Sequence, residues 1–367
     1  MLRHNPENER IKHKYFVFLK DAKQLSEASI DAAAKALARF EEQNNYKSFK
    51  TFRPEQASSF KQQLYKRTNI QNGDTLSKAT IHSTLKQLKC FFEWLVREDN
   101  YKSHIRYSDA EYFNPSRKDA AIATAKRAKK YPTLEQIQHV IAKMPNYTEI
   151  ERRNRAIIAF TLLTGARDGA IVSAKLGHIS LEANSFFQDA RQVKTKFSKT
   201  FTTFFFQVGD DIKQILVDWI RYLKTQKLYG DHDPLFPMTE MGLNVHNEFA
   251  VMGIKPEHWS SASPIREIFK QAFKQAGLEY FNPHSFRNTL VQLGQTRCKT
   301  PEAFKAWSQN LGHESVLTTL YSYGEVGRQR QSEIISALST ISDNAKDSDS
   351  ELAKKIAKVL TEQGIVA

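Results

Sequence analysis

At 367 residues the chain exceeds the usual size of one hydrophobic core, which predicts two domains of roughly 100–200 residues each. Its 54 Lys and Arg against 40 Asp and Glu give a formal charge of +14, a surplus that suits a polyanion and puts nucleic acid first among partners. No run approaches the ~20 apolar residues of a membrane span, and Met1-Leu2-Arg3-His4-Asn5 opens without the apolar stretch of a signal peptide, so a cytoplasmic protein is expected, nucleoid-associated when bound to its partner.

Residues from about 10 to 114 are dense in helical patterning. Ile81, Leu85, Leu88, Phe92 and Leu95 step by four, three, four and three, which makes one apolar helix face. Lys78, Lys86 and Lys89, with His82, recur around a different face, which reads either as a solvated charged surface or as a row of phosphate contacts. Cys90, in the same stretch, and Cys298 are far apart and form no Cys-x-x-Cys pair, which excludes a disulfide framework and a zinc knot; both are expected in core packing. Between Asn114-Pro115 and Tyr131-Pro132 the sequence is poor in large apolar residues and holds Arg117, Lys118, Lys126, Arg127, Lys129 and Lys130. We read 116–130 as a basic interdomain linker whose charges cross a nucleic-acid backbone.

Thr133 and Gln136 then have capping-box spacing ahead of Ile137, Val140 and Ile141, so a helix starts there. Further helices are expected over 152–163, 210–224 and 264–276, with one β-like interval rich in Phe and Thr at 185–193 and 200–208. The tail from Ser342 is rich in Ser and Asp and then amphipathic through Leu352, Ile356, Val359 and Leu360. The fold class is mainly α with a small β-sheet. The domain reading is 1–115 helical, 116–130 linker, 131–340 a second domain and 341–367 a tail.

Three short segments of the second domain carry chemistry. Leu162-Leu163-Thr164-Gly165-Ala166-Arg167 is an apolar helix stopped by glycine that presents Arg167 at a turn. Pro283-His284-Ser285-Phe286-Arg287 sets His284 and Arg287 three apart, on one helix face. Leu311-Gly312-His313 is followed by Thr318-Thr319-Leu320-Tyr321-Ser322-Tyr323-Gly324. Breaking a phosphodiester by in-line attack builds charge on the phosphorane oxygens, and Arg167 and Arg287 can hold those oxygens without a metal. A tyrosine phenol can form a phosphoester that conserves the bond energy for religation, with no ATP.

T-G-A-R, then H-x-x-R, then L-G-H with a tyrosine, in this order and 120 and 26 residues apart between Arg167, Arg287 and His313, resemble the active-site boxes of tyrosine recombinases, the integrases of phages and genomic islands. The resemblance covers roughly 131–340. It implies an N-terminal helical core-binding (SAM-like) domain, a C-terminal catalytic domain, and site-specific recombination of duplex DNA through a 3′-phosphotyrosine. It implies that His284 and His313 hydrogen-bond the phosphate and shuttle the tyrosine proton, and that a lysine on a β-hairpin between the first two boxes protonates the leaving 5′ oxygen. Lys196 and Lys199 flank the expected turn, and both stay open for that role. It further implies no cofactor and no metal, a homo-tetramer on two duplexes passing through a Holliday junction, DNA-bending accessory proteins as candidate partners, and a C-terminal segment handed to a neighbour.

Two departures from the family pattern stand out. The nucleophile of many members follows the L-G-H histidine by nine positions, which here is Ser322; Tyr323, just ahead of Gly324, is preferred over Tyr321. Three positions after the first arginine, where many members have an acid, stands Ala170, while Asp168 directly follows Arg167 and is a candidate buttress. Two other classes compete. A metal-dependent nuclease or transposase needs clustered carboxylates, and no convincing set accompanies these motifs. A non-catalytic DNA-binding regulator would use residues 300–314 as a helix-turn-helix, but has no use for two arginines, a hairpin lysine and a tyrosine together.

Overall fold

Helix α4 (Lys78–Leu95) buries the stripe that its spacing predicts: Ile81, Leu85, Leu88, Phe92 and Leu95 are all enclosed, joined by Thr84 and Phe91. In this computed structural model, residues 4–68, 73–125, 130–243, 247–313 and 331–333 are described. The chain divides into two units, Met1–Arg127 and Ala128–Ala367, each built around its own core.

The first unit wraps α1 (Pro6–Val17), α2 (Glu27–Gln43), α3 (Pro54–Lys66) and α5 (Arg117–Thr124) around α4. Its core is aromatic. Phe92 lies 4.1 Å from Phe52, 5.2 Å from Phe113 and 5.5 Å from Phe40, ring centroid to ring centroid. Such large rings bury much apolar area per residue and add edge and stacking geometry to it. Off the apolar stripe of α4, Cys90 is exposed, and Cys298 is half-buried, which corrects the expectation that both pack in cores. The stretch read as a linker carries helix α5, whose Asp119 accepts from Tyr65 and Ser116 and pairs with Lys78 at 2.8 Å.

The second unit centres on α7 (Glu149–Thr164), whose last nine residues are all buried; a helix apolar all round belongs in the middle of a core. The Thr133/Gln136 capping box opens α6 (Leu134–Lys143) as its spacing predicts. A short helix α8 (Asp168–Ser173) leads to an antiparallel sheet in the order β1 (Ile179–Ser180), β2 (Ser185–Gln188), β3 (Phe201–Phe204), with Phe186 opposite Thr203. Both strands are shorter than the predicted β intervals. Asp189 turns the chain out of β2, its carbonyl accepting from the Gln192 and Val193 amides, and past β3 the Phe206 amide bonds to Leu163 rather than to the sheet.

Among the described residues four more helices follow, α9 (Asp210–Thr225), α10 (Ser263–Gln275), α11 (Ser285–Arg297) and α12 (Pro301–Asn310). The first two match the predicted spans closely. Between α9 and α10 lies a hairpin that the sequence reading missed, β4 (Met238–Leu243) with β5 (Phe249–Lys255). Its apolar residues Met241, Leu243, Phe249 and Val251 are exposed, each strand holds a glycine, and a bulge interrupts the register at Glu240/Met241, so no clean period of two marks it. Glu149 ties this hairpin to the rest: it accepts from the Ile254 amide, from the Tyr222 hydroxyl, and pairs with Lys227.

Replacing Phe92 by Ala is expected to cost about 3–5 kcal/mol of stability in the first unit, because the surrounding rings cannot close over the cavity. Urea unfolding followed through Trp94 fluorescence measures it.

Candidate active site

Three segments distant in sequence meet at one buried guanidinium. Arg287, in the first turn of α11 and 2% exposed, donates from Nη1 to the Gly165 carbonyl at 2.5 Å and from Nη2 to the Leu311 carbonyl at 2.5 Å. Its Nη2 also lies 2.9 Å from His313 Nε2. The T-G-A-R, H-x-x-R and L-G-H segments are thereby one structure.

Gly165 caps α7 in the left-handed region, at φ 59°. A Cβ there would stand 2.9 Å from Leu311 Cδ2 and 3.0 Å from Leu290 Cδ1, so glycine serves both the turn and the close approach. A guanidinium can only donate, so His313 Nε2 accepts and the imidazole is neutral with its proton on Nδ1. Burial pushes the His313 pKa down to about 3, and the nearby charges of Arg287, Arg167, His284 and Lys199 push the same way. Two arginines, a second histidine and a hairpin lysine therefore act on one imidazole.

The residues singled out in the sequence occupy distinct places. Arg167 is half-buried at the N-cap of α8, and His284 is exposed at the N-cap of α11. Lys196 begins a single 3-10 turn, Lys196–Ser198, between β2 and β3; Lys199 follows it, and Lys199 is the one of the pair named above as acting on His313. Ala170 is in the core, and Asp168 receives Arg266 of α10 at 2.6 and 3.0 Å, so the acid that follows Arg167 anchors α10. Tyr321 and Tyr323 lie outside the described residues. Of the basic residues proposed for DNA, Lys78 pairs with Asp119 and sits over the Tyr65 ring, Lys89 donates to Asn114, and Lys130 pairs with Glu279 at 3.6 Å. Lys86, Arg117 and Lys118 are exposed, and Lys126, Arg127 and Lys129 are outside the described residues.

The structure adds two residues that the sequence reading passed over. Lys194 donates its amide to Ser173 Oγ at 2.8 Å, and its carbonyl would lie 3.2 Å from a Cβ on Gly169, two residues past Arg167. Its charge reaches His258, whose Nδ1 bonds the Val172 carbonyl. Asn310, directly before the L-G-H segment, binds both main-chain groups of Phe204 in β3: Oδ1 accepts from the Phe204 amide at 2.7 Å and Nδ2 donates to its carbonyl at 2.8 Å. Its position next to a recognised box was the available signal; that it would face a strand was not in the sequence.

A histidine whose native pKa lies below its unfolded value of 6.5 stabilises the fold above pH 6.5, and that contribution is lost as pH falls toward 3, because only the unfolded chain takes up the proton. Between about pH 7.5 and pH 5.5 the native protein is expected to lose about 1 kcal/mol more stability than His313→Gln, which keeps an acceptor for Arg287 and does not titrate. Denaturant melts at the two pH values test this; equal losses in the two proteins would contradict a buried neutral His313.

The phage integrase family model matches residues 131–329, more than half of the chain. No curated protein matches this chain. Among solved structures, a lambda integrase (75-356) dimer bound to a COC′ core site aligns at TM-score 0.60 and 14% identity, over 87% of this chain and 96% of that one. The XerH site-specific recombinase bound to difH substrate aligns at TM-score 0.55 and 18% identity, over 89% and 83%. A lambda integrase tetramer bound to a Holliday junction aligns at 0.56 and 13%, over 84% and 77%. These likenesses extend the shared fold across both units. The chain belongs to the phage integrase family, and it is a tyrosine-type site-specific DNA recombinase.

Proposed function

We propose that the cage around Arg287 holds the scissile phosphate of duplex DNA and that Tyr323 attacks it, leaving a 3′-phosphotyrosine and a free 5′ hydroxyl. The observation that carries this reading is the junction of three boxes at one guanidinium, with Arg167, His284 and Lys199 acting on the same imidazole.

Each group takes a role that its surroundings suit. Arg167 and Arg287 stabilise the charge that builds on the non-bridging oxygens; fixed donors in a dry site are worth more than in water. His313, held neutral, donates from Nδ1 to one of these oxygens, and its low pKa makes it a poor base. Removal of the tyrosine proton falls to His284, exposed at the head of α11. Lys199 protonates the leaving 5′ oxygen. It is preferred over Lys196 because its charge is felt at His313, and Lys194, packed against the turn after Arg167, is the comparison.

The free 5′ hydroxyl then attacks the partner strand, which requires two duplexes in one assembly. We take a homo-tetramer as that assembly, by analogy with the lambda integrase tetramer on a Holliday junction. Lys86, Arg117 and Lys118 are the exposed cations of the first unit that we assign to phosphate contacts, and binding that rests on them weakens as salt rises. DNA-bending accessory proteins and a cytoplasmic, nucleoid-associated location complete the proposal. No helix among the described residues is long and apolar enough to cross a membrane.

Incubation with sheared DNA flanking the gene, followed by denaturation, is expected to give an SDS-stable protein–DNA adduct, and sequencing the trapped fragments locates the cleavage site. Tyr323→Phe should abolish the adduct while Tyr321→Phe retains it. Cleavage that survives in Tyr323→Phe and stops with EDTA would point to a metal nuclease instead. Lys199→Ala is expected to slow cleavage by about 10²-fold or more, the ordinary worth of a general acid. Lys194→Ala and Lys196→Ala should slow it far less; the reverse order would move the acid to one of them.

A further inference from the structure

Among the described residues strand β3 is the edge of its sheet, and the outward main-chain groups of Phe204 are met by one side chain. The Asn310 carboxamide presents one acceptor and one donor, the pair that a neighbouring strand would offer, and binds the amide and the carbonyl of Phe204 with them. The same residue's carbonyl accepts from Thr203 Oγ1 at 3.0 Å, and Thr203 Oγ1 in turn accepts from Gln188 Nε2 of β2, a chain of bonds buried at Gln188 and Thr203. At the other end of β3 the Phe201 ring lies so close to Gly312 that a Cβ there would stand 2.6 Å from Phe201 Cζ. The Asn310-Leu311-Gly312-His313 segment is thus fastened at both ends of β3, and Lys199 stands two residues ahead of that strand.

We infer that Asn310 is a positioning residue for the general acid: its carboxamide sets the β2–β3 hairpin against the L-G-H segment, so that Lys199 and His313 serve the same phosphate. This rests on the reading of the site given above. When the tyrosine oxygen bonds to phosphorus, the P–O5′ bond breaks, its electron pair goes to O5′, and Lys199 supplies the proton that O5′ takes up. A hairpin released from Asn310 leaves the two arginines in place but moves the proton donor.

The consequence is selective and can be read with a substrate that needs no acid. With sulfur in place of O5′, the P–S bond breaks to a thiolate, which is stable without a proton at neutral pH far more than an alkoxide is. Two nicked half-sites of the trapped sequence, one with the ordinary phosphodiester and one with a 5′-bridging phosphorothiolate, are cut by the unaltered protein and by Asn310→Ala. For Asn310→Ala we expect cleavage of the phosphodiester to fall about tenfold or more, within the range of a displaced general acid, with less than about a threefold change on the phosphorothiolate and half-site affinity held within about twofold. Asn310→Asp keeps the acceptor for the Phe204 amide and loses the donor, so it should show the same selectivity at smaller size, and it carries the test if the alanine variant does not fold. Equal slowing of both substrates, or no slowing of the phosphodiester, would overturn the inference while leaving the site intact. Absence of any adduct from the unaltered protein with either substrate would overturn the site assignment and this inference with it.

Discussion

A cation inside a protein must be repaid for the water it loses, and Arg287 is repaid by two main-chain carbonyls and an imidazole. These three acceptors are neutral, so they satisfy N–H groups without adding negative charge. The carbonyls belong to Gly165 and Leu311, one just past the end of α7 and the other at the close of α12, so the bonds that solvate the guanidinium also fix the relation between those helices.

His313 follows from that arrangement. Next to a guanidinium, with Arg167, His284 and Lys199 acting on it as well, the imidazole stays neutral well below the usual range for histidine. A neutral ring offers a hydrogen bond from Nδ1 without adding charge or competing for a proton. The two histidines of the motif differ in burial: His313 is enclosed and His284 is exposed.

Packing around the cage accounts for one departure from the family pattern, the missing acid. Ala170 sits in a core where a carboxylate would be stranded, and Asp168, on the solvent side of the same turn, finds Arg266 on α10 instead. Among the described residues β3 is the edge of its sheet, so its outward main-chain groups need partners from elsewhere. A side chain that imitates a strand closes that edge, and it comes from the residue beside the L-G-H segment.

Much of this was legible along the chain because the signals are local. The α4 stripe, the Thr133/Gln136 capping box and the glycine that ends α7 each depend on spacings of a few residues, and each appears in the structure. The motif order pointed to the family, which the family model over residues 131–329 then matched. The sequence could not say that Arg287 spends its donors on Gly165, Leu311 and His313, because those atoms are joined by contacts across 122, 24 and 26 residues. It could not place Cys90 outside the core or find the β4–β5 hairpin, whose exposed apolar residues break the alternation that marks a strand. Residue type and spacing are written in one dimension; burial, tautomer and the field on a side chain exist only once distant segments have come together.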